Sequence, residues 1–405
     1  MYFINPFKGL RPTEEKASTV AITSTDHLSK EVIAKLRKNN QWSYLNVFDA
    51  ENNSKSKEQF ELMKKNSILT KDSKNSFYIY KISTKDHEQV GIVGIAKLSA
   101  YDNLHIRGHE EIYLERAQKR LKQMDNLNAQ VGPIYVINPD NAELTELIKK
   151  EIFSKPTYSF EALDHCKHEM WIINEESKVL KICDLFNTIN RIYIADGHHR
   201  IEALLKIAEF KKHQNPNHTG KEPYNYFMVA IFPKSQARIL DYNRLIKDLY
   251  GYSPSNFIKQ IKKNFTVQKQ DTSYKPKETK SFGMYLDKNW YSIKLKKNPE
   301  KNLFRIINLD INLLHEYLLE PILGVGDPRY DQRIGFIAGF HGLDSIKKKV
   351  DSGEAKVGFS LLATRIEDVI DFADQKLTEI VFLQRYFNSN LFSATSKLWI
   401  PKSQI

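Results

Sequence analysis

The sequence predicts a mixed α/β protein. Short runs rich in β-branched and aromatic residues, such as "SFYIYKI" at 76–82 and "VGIVGIAKL" at 90–98, are typical of strands. Between such runs lie segments with apolar residues at helical spacing, for example "RGHEEIYLERAQKRLKQM" at 107–124. At 405 residues the chain exceeds the usual size of one hydrophobic core, so we expect more than one lobe.

The same periodicities place the remaining elements in chain order. Helices are predicted at 29–38, 57–66, 107–124, 141–152, 254–264 and 310–320, with a further helix that begins at His198. Strands are predicted at 43–48, 76–82, 90–98, 132–137, 169–174, 191–195 and 226–232, with a hairpin at 282–295 around "DKN". We divide the chain into an N-terminal α/β lobe (1–100), a central core (101–245) and a C-terminal α/β lobe (246–405).

Composition limits the class of protein. An apolar content of 41%, with 22 Phe and 20 Tyr, excludes a disordered chain. The net charge of +12 favours anionic partners such as phosphates or nucleic acid. Because the lysines are scattered along the whole chain, a solvated surface is favoured over a nucleic-acid patch.

The cysteines and the hydropathy of the chain indicate the cellular compartment. Cys166 and Cys183 form no CxxC pair, which suits a reducing compartment. The N-terminal "MYFINPFKGLRP" lacks the continuous apolar stretch of a signal peptide, and no run approaches 18 apolar residues. We therefore expect a soluble cytoplasmic protein that does not span a membrane.

The stretch "YIADGHHRIEAL" at 193–204 concentrates polar groups between a strand and a helix. Gly197 supplies the backbone freedom for the sharp turn, and the amides of the first helical turn then point outward. Those amides and the helix dipole favour an anion such as a phosphate, to which His198, His199 and Arg200 add donors. Asp196 would bind magnesium or orient a neighbouring histidine, or it would only cap the helix.

Zinc is a competing interpretation for two segments. Adjacent histidines on a helix diverge by about 100°, so His198 and His199 do not easily hold one ion. "DHCKHE" at 164–169 places His165, Cys166 and His168 close together, but it enters an alternating run typical of a strand. A structural role is therefore favoured for this second segment.

A second candidate for chemistry is "HEE", His109 to Glu111, at the start of a predicted helix. A carboxylate there usually interacts only with the helix dipole or caps the helix. Arg244, in "DYNRLI", is a possible phosphate contact, or a member of a surface ion pair.

These motifs together resemble a family of domains of unknown function that includes the ADP-dependent free L-serine kinases. The resemblance covers nearly the whole chain. It is carried by "PFKGLRP" (6–12), "QWSYLNVF" (41–48), "GHEE" (108–111), "GPIYV" (132–136), "YIADGHHR" (193–200), "ILDYNRLIKDL" (239–249), "FGMYLDKNWY" (282–291), "ILGVGDPRYDQRIGFIAG" (322–339) and "DSGEAKVGFSLLAT" (351–364).

The resemblance implies a ParB/sulfiredoxin-like core, with additional α/β lobes, and a kinase that uses Mg²⁺ with ADP or ATP as phosphate donor. The glutamate of an "HE" pair acts as the base in such kinases, which corresponds to Glu110, with Glu111 as the alternative. The "DGHHR" loop there holds the nucleotide phosphates and magnesium. We therefore predict as catalytic residues Glu110, Asp196 and His199, as nucleotide-binding residues Gly197, His198, Arg200 and Arg244, and as metal ligand Asp196.

Three functions follow as hypotheses. The first is a nucleotide-dependent kinase that converts the hydroxyl of a small metabolite, free L-serine in the first instance, to a phosphate ester. The second is a non-catalytic nucleotide-binding regulatory module, because the C-terminal segment departs from the "PPKST"-like segment of the family and offers Ser396 or Lys397 instead. The third, a DNA-binding partition-type protein, is disfavoured because residues 246–265 contain one helix rather than a helix-turn-helix.

Overall fold

A computed structural model describes residues 2–22, 30–47, 53–108, 114–130, 132–162, 166–296, 309–328, 330–374 and 400–401. These residues form two compact units. The first lies within residues 1–237 and includes residues 400–401, and the second lies within residues 238–387. Both units mix helices and strands, which confirms the predicted fold class.

The strands of the first unit, in chain order, are β1 (Ile4–Asn5), β2 (Gly9–Pro12), β3 (Leu69–Lys71), β4 (Phe77–Ser83), β5 (Glu88–Lys97), β6 (Ile106–Arg107), β7 (Ile134–Asn138), β8 (Tyr158–Glu161), β9 (Lys167–Ile173), β10 (Ile192–Asp196) and β11 (Tyr226–Pro233). Those of the second unit are β12 (Tyr242–Ile246), β13 (Phe265–Gln270), β14 (Ser281–Leu286), β15 (Asn289–Leu295), β16 (Ile334–Ala338) and β17 (Val357–Ser360). The last strand, β18 (Ile400–Pro401), belongs to the first unit.

The α-helices of the first unit are α1 (Ala17–Val20), α2 (Lys30–Asn39), α3 (Asn53–Lys65), α4 (Leu98–Asp102), α5 (Leu114–Leu127), α6 (Ala142–Ile152), α7 (Glu176–Asn187) and α8 (His198–Gln214). Those of the second unit are α9 (Pro254–Asn264), α10 (Asp310–Leu314), α11 (Glu320–Leu323), α12 (Leu343–Asp351) and α13 (Ile366–Asp374). A π-helical turn, His315–Leu319, joins α10 to α11.

The first unit is built on a nine-stranded sheet in the order β6-β10-β7-β11-β5-β4-β9-β8, with β1 paired to β5. Most neighbours are antiparallel, but β6 runs parallel to β10 and β7 runs parallel to β11. Apolar side chains from α6, α7 and α8 pack with those of the sheet in one core. This packing fixes helix α8 and the turn before it against the sheet.

The second unit contains an antiparallel six-stranded sheet in the order β13-β15-β14-β17-β12-β16. Its β14–β15 hairpin confirms the one predicted from "DKN". Asp287 and Lys288, with φ of 46° and 61°, form the two-residue turn between Leu286 and Asn289. Positive φ at both turn positions matches the twist of a tight hairpin.

Most predicted elements are confirmed, including the β4–β5 hairpin and helix α8 from His198. The predicted strand at 43–48 is wrong, because residues 44–46 form a 3₁₀ turn capped by the Ser43 side chain. Tyr44, Leu45 and Val47 are all buried. In a strand with one buried face, successive residues such as Tyr44 and Leu45 would point to opposite faces, and only one of them would be buried. Helix α7 and strand β8 were not predicted.

The predicted domain borders fall within elements of the structure. Strands β4 and β5, before residue 100, pair within the same sheet as β7, β9 and β11, after it. Residue 245 lies inside strand β12. The ParB/sulfiredoxin-like assignment of the core stays a prediction.

Asp310, at the start of α10, provides a test of stability against pH. Burial raises the pKa of this carboxyl from 3.8 to about 6, although the Lys280 amide donates to its Oδ1 at 2.6 Å. The pKa of this carboxyl is higher in the folded than in the unfolded chain. Its contribution to the free energy of unfolding is therefore complete below pH 3.8 and is lost as pH rises through about 6.

We expect Asp310→Asn to raise the free energy of unfolding at pH 7.5 by roughly 2 kcal/mol, because it removes a buried charge and keeps an acceptor for Lys280. Near pH 4 the variant and the wild type should be almost equal. Urea unfolding at both pH values measures this, with the exposed Asp271→Asn as control. A constant difference between variant and wild type at the two pH values would contradict it.

Candidate functional site

The turn between β10 and α8 has the backbone geometry expected from its sequence. Gly197 is the residue before the helix and adopts φ 112° and ψ 19°, in the left-handed region. Its carbonyl accepts the first helical hydrogen bonds from the amides of Arg200 and Ile201. The backbone amides and the positive end of the helix dipole at this end of α8 suit an anion.

Arg200 ties the turn together. Its Nη2 donates to Asp196 Oδ2, and its Nη1 donates to the carbonyl of Pro133, the residue just before β7. The Arg200 side chain is only 14% exposed, whereas that of Asp196 is 37% exposed. The guanidinium therefore orients Asp196 from the protein side, while the carboxylate reaches solvent.

A β-bulge precedes this turn. Ile194 pairs with Val136 and Asp196 pairs with Tyr135, so Ala195 is the extra residue on β10. A bulge locally increases twist and redirects the following side chain. It lies directly before Asp196, the residue that the sequence predicts as metal ligand.

His198 and His199 have different environments. His198 is 2% exposed, and its ring lies against the backbone of Gly108, where an added Cβ would be 3.0 Å from His198 Cδ2. The same Cβ would be 3.5 Å from the Tyr101 hydroxyl oxygen. His199 is partly exposed. Asp196 and His199 are thus the side chains of the turn that combine polarity with access to solvent.

The Tyr101 hydroxyl lies near Gly108, beside His198, and was not predicted as a site residue. Burial raises the pKa of its hydroxyl, and the carboxylates of Glu202 and Asp102 raise it further. The hydroxyl therefore stays protonated over the neutral range. Its position shortly before "GHEE" in the sequence is a weak signal, because nothing in the spacing relates it to His198.

Gly108, which follows β6, and the turn at 196–200, which follows β10, lie at the same edge of the sheet. Strand β6 pairs in parallel with β10, with Ile192 opposite Ile106 and Tyr193 opposite Arg107. The chain that leaves β6 passes Gly108, in contact with His198, and leads to Glu110. His109, Glu110 and Glu111 lie outside the described residues, as do Ser396 and Lys397.

Arg244 belongs to the second unit, in strand β12. Its guanidinium carbon lies 4.7 Å from the ring centre of Phe336 and 5.4 Å from that of Tyr242. Nη1 donates to the Tyr242 carbonyl at 2.7 Å. The residue is 6% exposed, so a surface ion pair does not describe it.

Two observations bear on metal binding. Within the described ranges, no three side chains of His, Cys, Asp or Glu converge on a common position for a metal ion. Of the "DHCKHE" segment, His168 is 1% exposed and pairs with the Tyr80 hydroxyl at 2.6 Å, Cys166 is buried, and His165 is outside the described residues. Magnesium needs less, since it binds through one or two carboxylates with water and phosphates, and Asp196 fits that requirement.

Gly197→Ala tests the geometry of the turn. A Cβ at this position would be 3.1 Å from Arg200 Nε and would impose a left-handed backbone on an L side chain. Gly220 has φ 79° and nothing within 4 Å of a Cβ, so it is a matched control. We expect thermal or urea unfolding to show a loss of about 2–4 kcal/mol for Gly197→Ala and about 1 kcal/mol for Gly220→Ala. Equal losses would contradict close packing at Gly197.

The family profile described as "Protein of unknown function (DUF1015)" matches residues 4–312. The chain belongs to this family. The matched range of this DUF1015 chain includes the nine-stranded sheet, Gly108 and the turn at Asp196–Arg200.

Solved structures similar to this DUF1015 member include free serine kinase in complex with AMP, at 11% identity and a TM-score of 0.34, covering 73% of this chain and 85% of that one. A variant of free serine kinase in complex with ADP has 10% identity, a TM-score of 0.35 and coverage of 70% and 82%. SbnI with a C-terminal truncation from Staphylococcus aureus has 11% identity, a TM-score of 0.27 and coverage of 70% and 96%. Likeness at this level does not establish a shared activity.

No curated protein matches the sequence. Among the described residues, no helix combines the length and the apolar character that crossing a membrane requires.

Proposed function

We propose that this DUF1015 protein is a nucleotide-dependent kinase that phosphorylates the hydroxyl of a small metabolite, with free L-serine as acceptor and O-phosphoserine as product. The observation that carries the proposal is the contact of Gly108, which follows β6, with His198 of the turn that follows β10. Strand β10 ends at Asp196, whose carboxylate is oriented by Arg200, and helix α8, whose start favours an anion, begins after Gly197. The segment that continues in sequence to Glu110 follows β6, the parallel neighbour of β10. Phosphoryl transfer needs groups that bind the phosphates and the metal next to a group that activates the acceptor hydroxyl.

The proposed reaction assigns a role to each group. The serine hydroxyl oxygen attacks the terminal phosphorus of ADP or ATP, the bond to the leaving nucleotide oxygen breaks, and the hydroxyl proton passes to Glu110. The amides at the start of α8, together with His199, would hold the phosphates. His198 and Arg200 act mainly by positioning, because one is buried against Gly108 and the other binds Asp196.

Magnesium is the cofactor that this site would use. Asp196 would hold it through the oxygen that Arg200 does not bind, with water and nucleotide phosphates as the other ligands. When bound, Mg²⁺ neutralises charge on the phosphates. Arg244, in the second unit, stays a predicted phosphate contact.

The second candidate function is a nucleotide-binding regulatory module without catalysis. It is favoured by the C-terminal sequence, where Ser396 and Lys397 stand in place of the family's "PPKST"-like segment. Binding would then need only the turn at 196–200. The DNA-binding alternative gains no support, because α9 is followed directly by strand β13.

Phosphorus NMR tests the two candidates in one experiment. The purified chain is incubated with magnesium, L-serine, and ADP or ATP in turn. A new phosphomonoester peak that matches O-phosphoserine supports the kinase, and its donor is identified directly. Nucleotide line broadening that depends on Asp196, without product, would support the regulatory module. Neither product nor broadening would overturn both.

A further inference from the structure

A cleft of about 720 Å³ lies in the first unit at the end of the sheet opposite to the Asp196 turn. It is lined by the residues that precede β6 and β10 and by those that follow β7. Since β7 is antiparallel to β10, these three segments meet at the same edge. From Arg191 to Asp196 the strand spans roughly 16 Å, so the cleft is separate from the turn.

Basic side chains define the chemistry of this cleft. Arg107, Arg191 and His105 line it from two neighbouring strands, and Asn141 lines it at the start of α6. Asp140, the one acidic residue of the lining, accepts from both the amide and the hydroxyl of Ser235. Guanidinium groups in pairs are suited to a tetrahedral oxyanion such as a phosphate.

The His105 ring is fixed in place at the cleft. Its Nδ1 lies 3.1 Å from the carbonyl oxygen of Asn190, and its ring stacks on Phe3. Because a carbonyl only accepts, Nδ1 carries the proton. Nε2 is on the side of the ring that faces away from the Asn190 carbonyl. An anion that binds near Nε2 would change the chemical environment of the ring.

Apolar groups complete the lining. Tyr193 pairs with Arg107 across the parallel strands, so the two side chains share one face of the sheet. Leu104, which adopts a left-handed φ of 61°, accepts from Arg107 Nε through its carbonyl. The volume of the cleft is within the usual range of small-molecule sites.

We propose that this cleft is a second binding site, which takes the phosphate group of a small phosphorylated metabolite between Arg107, Arg191 and His105. This inference does not depend on the proposed kinase function, because the residues, the sheet edge and the ligand contacts are all different. Its phosphate could belong to a small ester or to a nucleotide, and the two sources share the same recognition chemistry.

The test follows the imidazole resonances of His105 by NMR in the full chain while inorganic phosphate is added. His105→Gln identifies the signals by their loss. We expect a saturable shift, and Arg191→Gln should raise the apparent Kd about tenfold. Arg238→Gln, an exposed arginine outside the cleft, should leave it unchanged. No saturable shift, or an unchanged Kd in Arg191→Gln, would overturn the proposal.

Two further arms complete the experiment. Asp196→Asn should leave the His105 titration unchanged, and loss of the shift in that variant would show that phosphate acts from the turn instead. Repeating the titration with AMP separates the sources. A lower Kd for AMP than for phosphate would assign the cleft to a nucleotide and overturn the small-metabolite form, whereas an equal or higher Kd would support it.

Discussion

Glu110→Gln should reduce the rate of O-phosphoserine formation by a factor of about 10²–10⁴, which is the usual contribution of a general base. The amide keeps the size of the carboxylate but does not accept a proton at neutral pH. Nucleotide affinity should change little, because Glu110 is not among the proposed phosphate contacts. Turnover by phosphorus NMR and nucleotide binding by calorimetry give the two readouts.

Glu111→Gln is the matched control for this prediction, since it changes the same group one position along the chain. The pair of variants therefore shows which of the two carboxylates takes the proton from the acceptor hydroxyl. If Glu111→Gln abolishes turnover and Glu110→Gln does not, the base is Glu111. Full activity in both variants would remove the "HEE" motif from the reaction.

Asp196→Asn should weaken nucleotide binding in the presence of magnesium by about tenfold. The amide loses the charge that would hold the metal, and it also weakens the ionic contact with Arg200 Nη2. Without magnesium, the variant and the wild type should bind more nearly alike. Calorimetry with ADP or ATP, with and without the metal, separates the two effects.

The exposed Asp125 on α5 provides the control, because Asp125→Asn removes the same charge outside the turn. A double variant adds information about Arg200. If Arg200 acts by orienting Asp196, the losses in Asp196→Asn and Arg200→Gln should not add. Unaltered nucleotide binding in Asp196→Asn would exclude the turn from the site.

The turn itself could be predicted from sequence because its causes are local. A strand that ends before glycine and a periodic helix that starts after it require a sharp turn, and Gly197 has the positive φ that this demands. Helix geometry also predicts that His198 and His199 point apart. Which of them is buried depends on Gly108, which is distant in sequence, so it could not be predicted.

Long-range contacts set the rest of the site. Arg200 reaches the carbonyl of Pro133, 67 residues away, and no local pattern encodes that partner. The contact of Arg244 with the Phe336 ring has the same origin, since Phe336 lies on a different strand. In contrast, the missed helix α7 carries a readable signal, because Ile182, Cys183 and Phe186 are buried at helical spacing.

The nine-stranded sheet ends in short strands on both sides. Its outermost strands are β6, with two residues, and β8, with four, while β5 in the interior has ten. Long unpaired edges expose rows of amides and carbonyls that recruit strands from other molecules. Short edges give such an intruding strand few partners, so the sheet is protected against aggregation through its edges.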